Sequence, residues 1–424
     1  MRHIVSRGAT IGFALALGLT LAACDAGSGT PDTSVPASAT PQPFAGSVTF
    51  NVAKKATMVP IDTKLRVKAS ESTLQQVSLE GPSGPVPGKL SKDQQSWVAQ
   101  GTLLPKTSYK ITAAAIDTEG TTKTVSRKFT TQELTLDQQT YPTFVPADGS
   151  TVGIGMPVII RFDVPVTNHE EIQKHLVVQS TPAQAGGWHW ISDNEVHWRP
   201  KVYWKPGTTV HVEANIGGVP AADGVWGQMD RSQTFHISKH AQVIKVNTQT
   251  DQLTFYRDGK LIKTIPITTG AQPAYTTRSG VKVIVEKDRY TNMNSETIGI
   301  PSNSSAGYDL KNVEFAMRLT YSGEFFHAAP WSVASQGRAN VSHGCTGMST
   351  ENAGWLYRNT LIGDPAEFTG TTRQMTLDNG YGDWNLPFKQ YIQGEPTNLP
   401  TPSAPTNSAS PSASASSSSS PAAS

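Results

Sequence analysis

The sequence predicts a mainly β protein: two tandem β-sandwiches, then a third β-rich domain with one main helix. Three observations carry that expectation. Short runs of alternating apolar and polar residues recur from about 46 to 238, divided by Gly/Pro/Ser clusters, the pattern of half-buried strands and tight turns. Trp97, Pro105, Thr107, Tyr109 and Ile111 align at one constant offset with Trp198, Pro206, Thr208, Val210 and Val212, so the two stretches read as copies. Beyond residue 239 one segment alone shows clear helical spacing. At 424 residues the chain is too long for one ordinary domain. With 35 basic against 33 acidic residues, there is no electrostatic case for nucleic acid as a partner.

Residues 1–23 read as an address rather than structure. Arg2 and Arg7 make a basic start, and 11–23 form an apolar run too short for a comfortable membrane span, which is the make-up of a signal peptide. The run ends in Leu21-Ala22-Ala23-Cys24, which resembles the lipobox of bacterial lipoproteins. That resemblance implies cleavage before Cys24 and attachment of lipid to its sulfur; the competing reading is an ordinary secretory signal with an incidental Cys24. Residues 24–45 are mostly Gly, Ser, Thr, Pro and Ala, too polar to bury a core, and read as a disordered tether. Residues 394–424 are a Pro/Ser/Ala tail of the same kind.

Residues 46–133 alternate at 64–68 and 109–112, with a turn cluster at 81–85; residues 134–238 repeat the texture at 158–162 and 209–213. Both are expected to be immunoglobulin-like sandwiches. Trp188, Trp190, Trp198 and Trp204 are read as sandwich core and inter-domain contacts in preference to a sugar-binding platform. The third region, 239–393, opens with two apolar-patterned runs around Asp258-Gly259, the signature of a hairpin with a primed turn. Residues 281–285 read as another strand. Ser349 or Thr350 can cap a helix whose apolar face is Ala353, Leu356 and Tyr357, with Gly363 at or beyond its end.

The chemistry concentrates in Phe326-His327-Ala328-Ala329-Pro330-Trp331 and Val341-Ser342-His343-Gly344-Cys345. The chain has two cysteines. If Cys24 carries lipid, Cys345 is a lone thiol in an exported chain and worth flagging as reactive. A buried cysteine acting as a small hydrophobe is the bland alternative. An imidazole partner can hold a thiol as thiolate and shuttle its proton, and the missing Cβ of Gly344 lets a carbonyl substrate approach the backbone. Backbone N–H groups around Gly344 and Cys345 could stabilise an oxyanion. His327, His343 and Cys345 are also three possible zinc ligands; a closed structural site wants four, while a three-ligand catalytic site stays open at this point.

Ser342-His343-Gly344-Cys345, preceded by His327, resembles the L,D-transpeptidase catalytic domain of the YkuD family. The resemblance covers the whole third region, including the closing Gly382-Asp383-Trp384-Asn385-Leu386-Pro387. The lipobox and two sandwiches before it look like the mycobacterial and actinobacterial members. The resemblance implies Cys345 as nucleophile and His327 as general base, with His343 and Gly344 shaping the site and Ser342 beside them. It places Tyr308, Tyr321, Ser322, Gly323, Ser342 and Gly347 along the substrate groove. It further implies a β-sandwich-like catalytic sheet structure without metal or organic cofactor. The expected partners are peptidoglycan stem peptides (a donor tetrapeptide and an acceptor amine), carbapenems, and the membrane through the lipid. The expected location is the outer face of the cytoplasmic membrane, facing the wall. The chain departs from the family pattern with Gly347 where Asn is usual and Ala328 where some relatives have Ser. A lost amide at 347 could alter substrate choice or rate. Competing readings are a wall peptidase of the NlpC/P60 type, disfavoured because those place Cys before His, and a non-enzymatic scaffold or adhesion lipoprotein with a degenerate domain.

Overall fold

The computed structural model describes residues 42–393. The signal segment, Cys24, most of the expected tether and the C-terminal tail lie outside the described residues.

The first sandwich pairs a sheet of Ser47–Phe50, Arg66–Ser70, Ser96–Ala99 and Gly88–Leu90 with a sheet of Ala56–Val59, Thr122–Thr131, Ser108–Asp117, Ser72–Gly81 and Gly84–Val86. Strand Ser108–Asp117 shows why these residues fold so: Tyr109, Ile111, Ala113 and Ala115 alternate with polar residues and bury one face at the period of two that a strand imposes. The second sandwich repeats this order. One sheet is Pro142–Val145, Val158–Phe162, Glu195–Pro200 and Gly186–Ser192; the other is Thr151–Val152, Arg231–Ile237, Thr209–Ala214 and Leu176–Thr181. In both, a short strand enters parallel to the strand that ends the domain.

The constant offset seen in the sequence extends to the backbone. Lys106 and Gly207 stand at the same place in the Pro-x-Thr turn and both have positive φ, 50° and 76°. Each donates its N–H at 2.8 Å to the chain leaving its own domain, Lys106 to Gln132 and Gly207 to Ser238. Leu103 and Trp204, again one offset apart, are both buried. Trp190, Trp198 and Trp204 are core residues; the Trp198 and Trp204 rings stack at 5.3 Å and Trp204 donates to Met156 O at 2.7 Å. Trp188 is half-buried against the same core. Phe44 packs on the first core and Ala45 N–H donates to the Asp117 carboxylate at 2.9 Å, so ordered packing starts before residue 46.

In the third domain, a sheet of Lys260–Pro266, Gln252–Arg257, Gln242–Asn247, Pro365–Thr369 and Gly280–Val283 faces a second sheet of Glu286–Asn294, Asp309–Arg318, Phe325–Ala328 and Thr346–Met348. Asp258 and Gly259 both have positive φ, as a primed two-residue hairpin turn requires. Ser349 Oγ accepts the Asn352 N–H and starts the helix Thr350–Asn359, whose Ala353 and Leu356 close a core shared with Val246, Phe255, Met317, Phe326 and Met348.

The C-terminal part of this domain returns to the second sandwich. Trp384 Nε1 donates to Gly155 O at 2.8 Å, and buried Asp383 meets His197 Nδ1 at 2.9 Å and the Tyr391 hydroxyl at 2.8 Å. On the other side of the junction Gly153 N–H bonds Ile362 O, and a Cβ on Gly153 would fall 2.2 Å from Asp364 N. No other residue fits that approach.

Candidate active site

Strands Phe325–Ala328 and Thr346–Met348 run parallel, with Phe326 opposite Thr346 and His327 opposite Gly347. Successive side chains alternate faces, so Cys345, Gly347, Phe325 and His327 share one face of the sheet, with Cys345 at the point where the chain enters its strand. Residues eighteen positions apart in sequence are thereby brought to one surface by register.

His327 is buried, and its Nδ1 lies 2.8 Å from Ala328 O. A carbonyl can only accept, so Nδ1 carries the proton and Nε2 keeps its lone pair. Burial holds this imidazole below the ordinary histidine range, in its neutral form at physiological pH. Ala328 contributes its carbonyl alone, so a side chain at that position is not needed to fix the tautomer. The exposed Trp331 ring lies 5.9 Å from the imidazole, nearly parallel to it.

Cys345 is half-buried against the cluster of Met293, Val313, Ala316 and Phe325, on which Tyr308 and Leu310 also pack, and its thiol donates to Gly323 O at 3.3 Å. Burial pushes the thiol up to about 12. The resting pair is therefore thiol and neutral imidazole. The thiolate held by an imidazole, anticipated from sequence, is not the resting state.

The turn that leads into Cys345 is braced locally. Ser342 Oγ donates to Cys345 O at 2.6 Å and accepts the Gly344 N–H at 3.1 Å, closing the Ser342–Cys345 turn on itself. Gly344 has φ of 126°, which a side chain would strain. Its N–H is occupied by Ser342, so of the two amides expected around the site, that of Cys345 is the one without an acceptor among the described residues. The His343 ring sits between Tyr275 and Tyr308, with centroids at 4.3 and 5.1 Å. Among the described residues no group of three or more His, Cys, Asp or Glu side chains is arranged to hold a metal ion, so His327, His343 and Cys345 do not converge as ligands.

The expected groove residues fall in two groups. Tyr308 lies by Cys345, and burial together with the nearby thiol raises its hydroxyl to about 12. Gly323 has φ of 97° and supplies the carbonyl that accepts the hydrogen bond of the thiol. Ser322 is fixed by Asn379, whose side chain takes its N–H at 2.8 Å and donates to its hydroxyl at 2.9 Å. Tyr321 instead turns to the second sandwich, where its hydroxyl accepts from Arg161 at 3.2 Å. Gly347 is tightly enclosed: a Cβ there would lie 2.8 Å from the Ala329 methyl, so the position has no space for an amide side chain without movement of Ala329.

Sequence reasoning missed Tyr275, Asn379, and a buried cluster behind the turn. Lys282 and Arg278 both pair with Glu324, Arg278 at 3.0 Å. A lysine inside an apolar strand run and a glutamate next to the Phe325-Phe326 pair were the visible signals.

An L,D-transpeptidase catalytic domain model (YkuD) matches residues 241–368, a span that includes His327 and the Ser342–Cys345 turn, and a bacterial Ig domain model matches 56–220, across both sandwiches. L,D-transpeptidase 2 of Mycobacterium tuberculosis (strain CDC 1551 / Oshkosh) is 34% identical over 350 residues, covering 82% of this chain and 84% of that protein. The chain belongs to the L,D-transpeptidase family. L,D-transpeptidase 5 of Mycobacterium tuberculosis (strain ATCC 25618 / H37Rv) is also 34% identical, over 372 residues, covering 85% of this chain and 79% of that protein. A solved L,D-transpeptidase in complex with imipenem matches 55% of this chain and 99% of its own at 34% identity, with a TM-score of 0.48. Membership makes this chain a transpeptidase with immunoglobulin-like domains ahead of its catalytic domain.

Proposed function

We propose that this transpeptidase forms 3→3 cross-links between peptidoglycan stem peptides through a thioester on Cys345, with His327 as general base. The observation that carries the reading is the parallel register that puts Cys345 and His327 on one face, with Nδ1 tied to Ala328 O and Nε2 free. The thiol proton passes to Nε2 as sulfur attacks the carbonyl of the L,D peptide bond in a donor tetrapeptide. The Cys345 N–H meets the developing oxyanion. As the tetrahedral intermediate collapses, the same proton goes to the departing D-alanine amine, leaving the thioester. The side-chain amine of a diamino acid on a second stem then attacks. It gives its proton to His327, and the sulfur departs and regains that proton. Water in place of the amine gives L,D-carboxypeptidase activity. A carbapenem carbonyl would be attacked in the same way and leave the drug on Cys345.

The neutral resting pair explains how an apolar site can be stable between turnovers. Ionising Cys345 alone is unfavourable there, so proton transfer and attack are coupled. In this reading Cys24 carries lipid at the outer face of the cytoplasmic membrane, and the sandwiches extend the catalytic domain toward the wall. The test is incubation with disaccharide-tetrapeptide and mass spectrometry of the products. Dimers lacking one terminal D-alanine, absent with Cys345→Ala and His327→Ala, support the reading; release of D-alanine without dimers would make hydrolysis the main reaction. Unchanged dimer formation by Cys345→Ala would refute it.

A further inference from the structure

Lys282 is fully buried, yet it has no role in the steps above. Its ammonium pairs with one oxygen of the Glu324 carboxylate, itself buried, and lies 3.6 Å from the centroid of the Phe368 ring. The other Glu324 oxygen accepts from Arg278 twice, from the backbone N–H at 3.1 Å and from the guanidinium at 3.0 Å. Burying the Lys282–Glu324 pair, with Arg278 partly exposed beside it, is costly, and an apolar filling of the same volume is often as stable or more so. Packing alone gives no reason for the cluster.

Its position does. Glu324 stands between Gly323, whose carbonyl accepts from the Cys345 thiol, and Phe325, which packs against Cys345. Its Cγ is the nearest atom to where a Cβ of Gly344 would be, at 3.8 Å. Thr277, the neighbour of Arg278, donates its hydroxyl to Gly344 O at 2.8 Å and accepts the Gly270 N–H at the same distance. The three charged residues thus back the turn that presents the nucleophile. Two cations and one carboxylate leave the cluster with one net positive charge.

We propose that Lys282, Glu324 and Arg278 are positioning residues that set how readily the Cys345 thiol ionises and that hold the Gly344 turn in place. The proposal rests on Cys345 being the nucleophile, as argued above. The cations favour the thiolate and Glu324 opposes it, and Lys282 and Glu324 are both felt at the sulfur. Other groups face Cys345 from the elements packed on it. Arg318, also felt at the sulfur, is already paired with Glu286 at 2.8 Å; Tyr308 lies by the thiol with the His343 ring 5.1 Å from its own, and His327 shares the sheet face.

The test is the rate of Cys345 alkylation by iodoacetamide at one fixed pH of about 9, which follows the thiolate fraction, read by intact mass on the whole protein with far-UV circular dichroism to verify folding. Lys282→Met should slow alkylation about tenfold, and Glu324→Gln should speed it by a similar factor. Lys282→Arg keeps the charge and should leave the rate where it is. Should Lys282→Met not fold, Arg278→Met at the edge of the cluster removes a cation while keeping the buried pair, and should also slow alkylation. Opposite changes from Glu324→Gln and the cation variants support the proposal, because a merely structural role would not reverse sign with charge. Folded variants that all react like the parent, or all change one way, overturn it. Failure of the nucleophile reading itself is seen separately, as cross-linking that persists in Cys345→Ala.

Discussion

Strands Ser96–Ala99 of the first sandwich and Glu195–Pro200 of the second are equivalent, one offset apart, and differ in what covers them. Trp97 and Trp198 point inward in both. On the outward face, Ser96 and Val98 of the first domain are half-buried, whereas their counterparts His197 and Arg199 are sealed under the C-terminal segment. His197 is held by Asp383 at 2.9 Å and Glu195 at 2.7 Å. The Arg199 guanidinium lies over the rings of Trp384, Phe388 and Tyr391 at 4.4–5.3 Å and donates to Asp383 O and Leu386 O. One sandwich keeps an ordinary outer face; its copy has turned that face into a polar joint with the catalytic domain. A sheet face can be buried late in the chain only if its polar groups find partners there.

The comparison can be broken most severely at Asp383. Asp383→Ala removes a buried partner of His197 and should cost about 3–5 kcal/mol in chemical denaturation, whereas Ser96→Ala should stay within about 0.5 kcal/mol. Equal small effects would show that the joint adds no stability.

A pH titration of stability sharpens the same contrast. Asp383 and Glu195 raise the buried His197 to about 9, above its ordinary 6.5. The folded state holds this proton more tightly than the unfolded chain. Its contribution is therefore full below pH 6.5 and is lost as pH rises through 9, on the order of 3 kcal/mol in all. His197→Gln should flatten that alkaline slope; an unchanged slope would assign it elsewhere.

Arg199→Ala should cost about 2–3 kcal/mol through lost ring contacts and the two carbonyl bonds it makes across the joint, to Asp383 and Leu386. Val98→Ala at the matching site should cost about 1 kcal/mol. The smallest effect concerns the shared turn. Gly207→Ala should lose about 1 kcal/mol, while Lys106→Gly should change stability by about 0.5 kcal/mol or less, because relief at positive φ is offset by greater freedom of the unfolded chain. Thermal melts of the two single variants measure both.

Patterns local in sequence were readable: the Asp258-Gly259 hairpin, the helix after Ser349 and the Ser342-His343-Gly344-Cys345 motif, each of which depends on residues only a few positions apart. The offset repeat was readable because two stretches carry the same pattern. The joint was not readable, since His197 and Asp383 are 186 positions apart and nothing near either names the other. For the same reason Tyr321 was expected in the groove, while its hydroxyl is held by Arg161, 160 positions away. Gly347 looked like a lost functional side chain in sequence; the structure shows a place where the Ala329 methyl leaves no space for one. The neutral resting state of Cys345 and His327 follows from burial, which a motif does not report.

The account stands most directly on Cys345 as an activated nucleophile. The measurement is the intact mass of the protein after incubation with a carbapenem, beside Cys345→Ala. One drug-sized gain in mass that disappears in the variant is the predicted result. No adduct on well-folded protein, or an adduct that persists in Cys345→Ala, would contradict it.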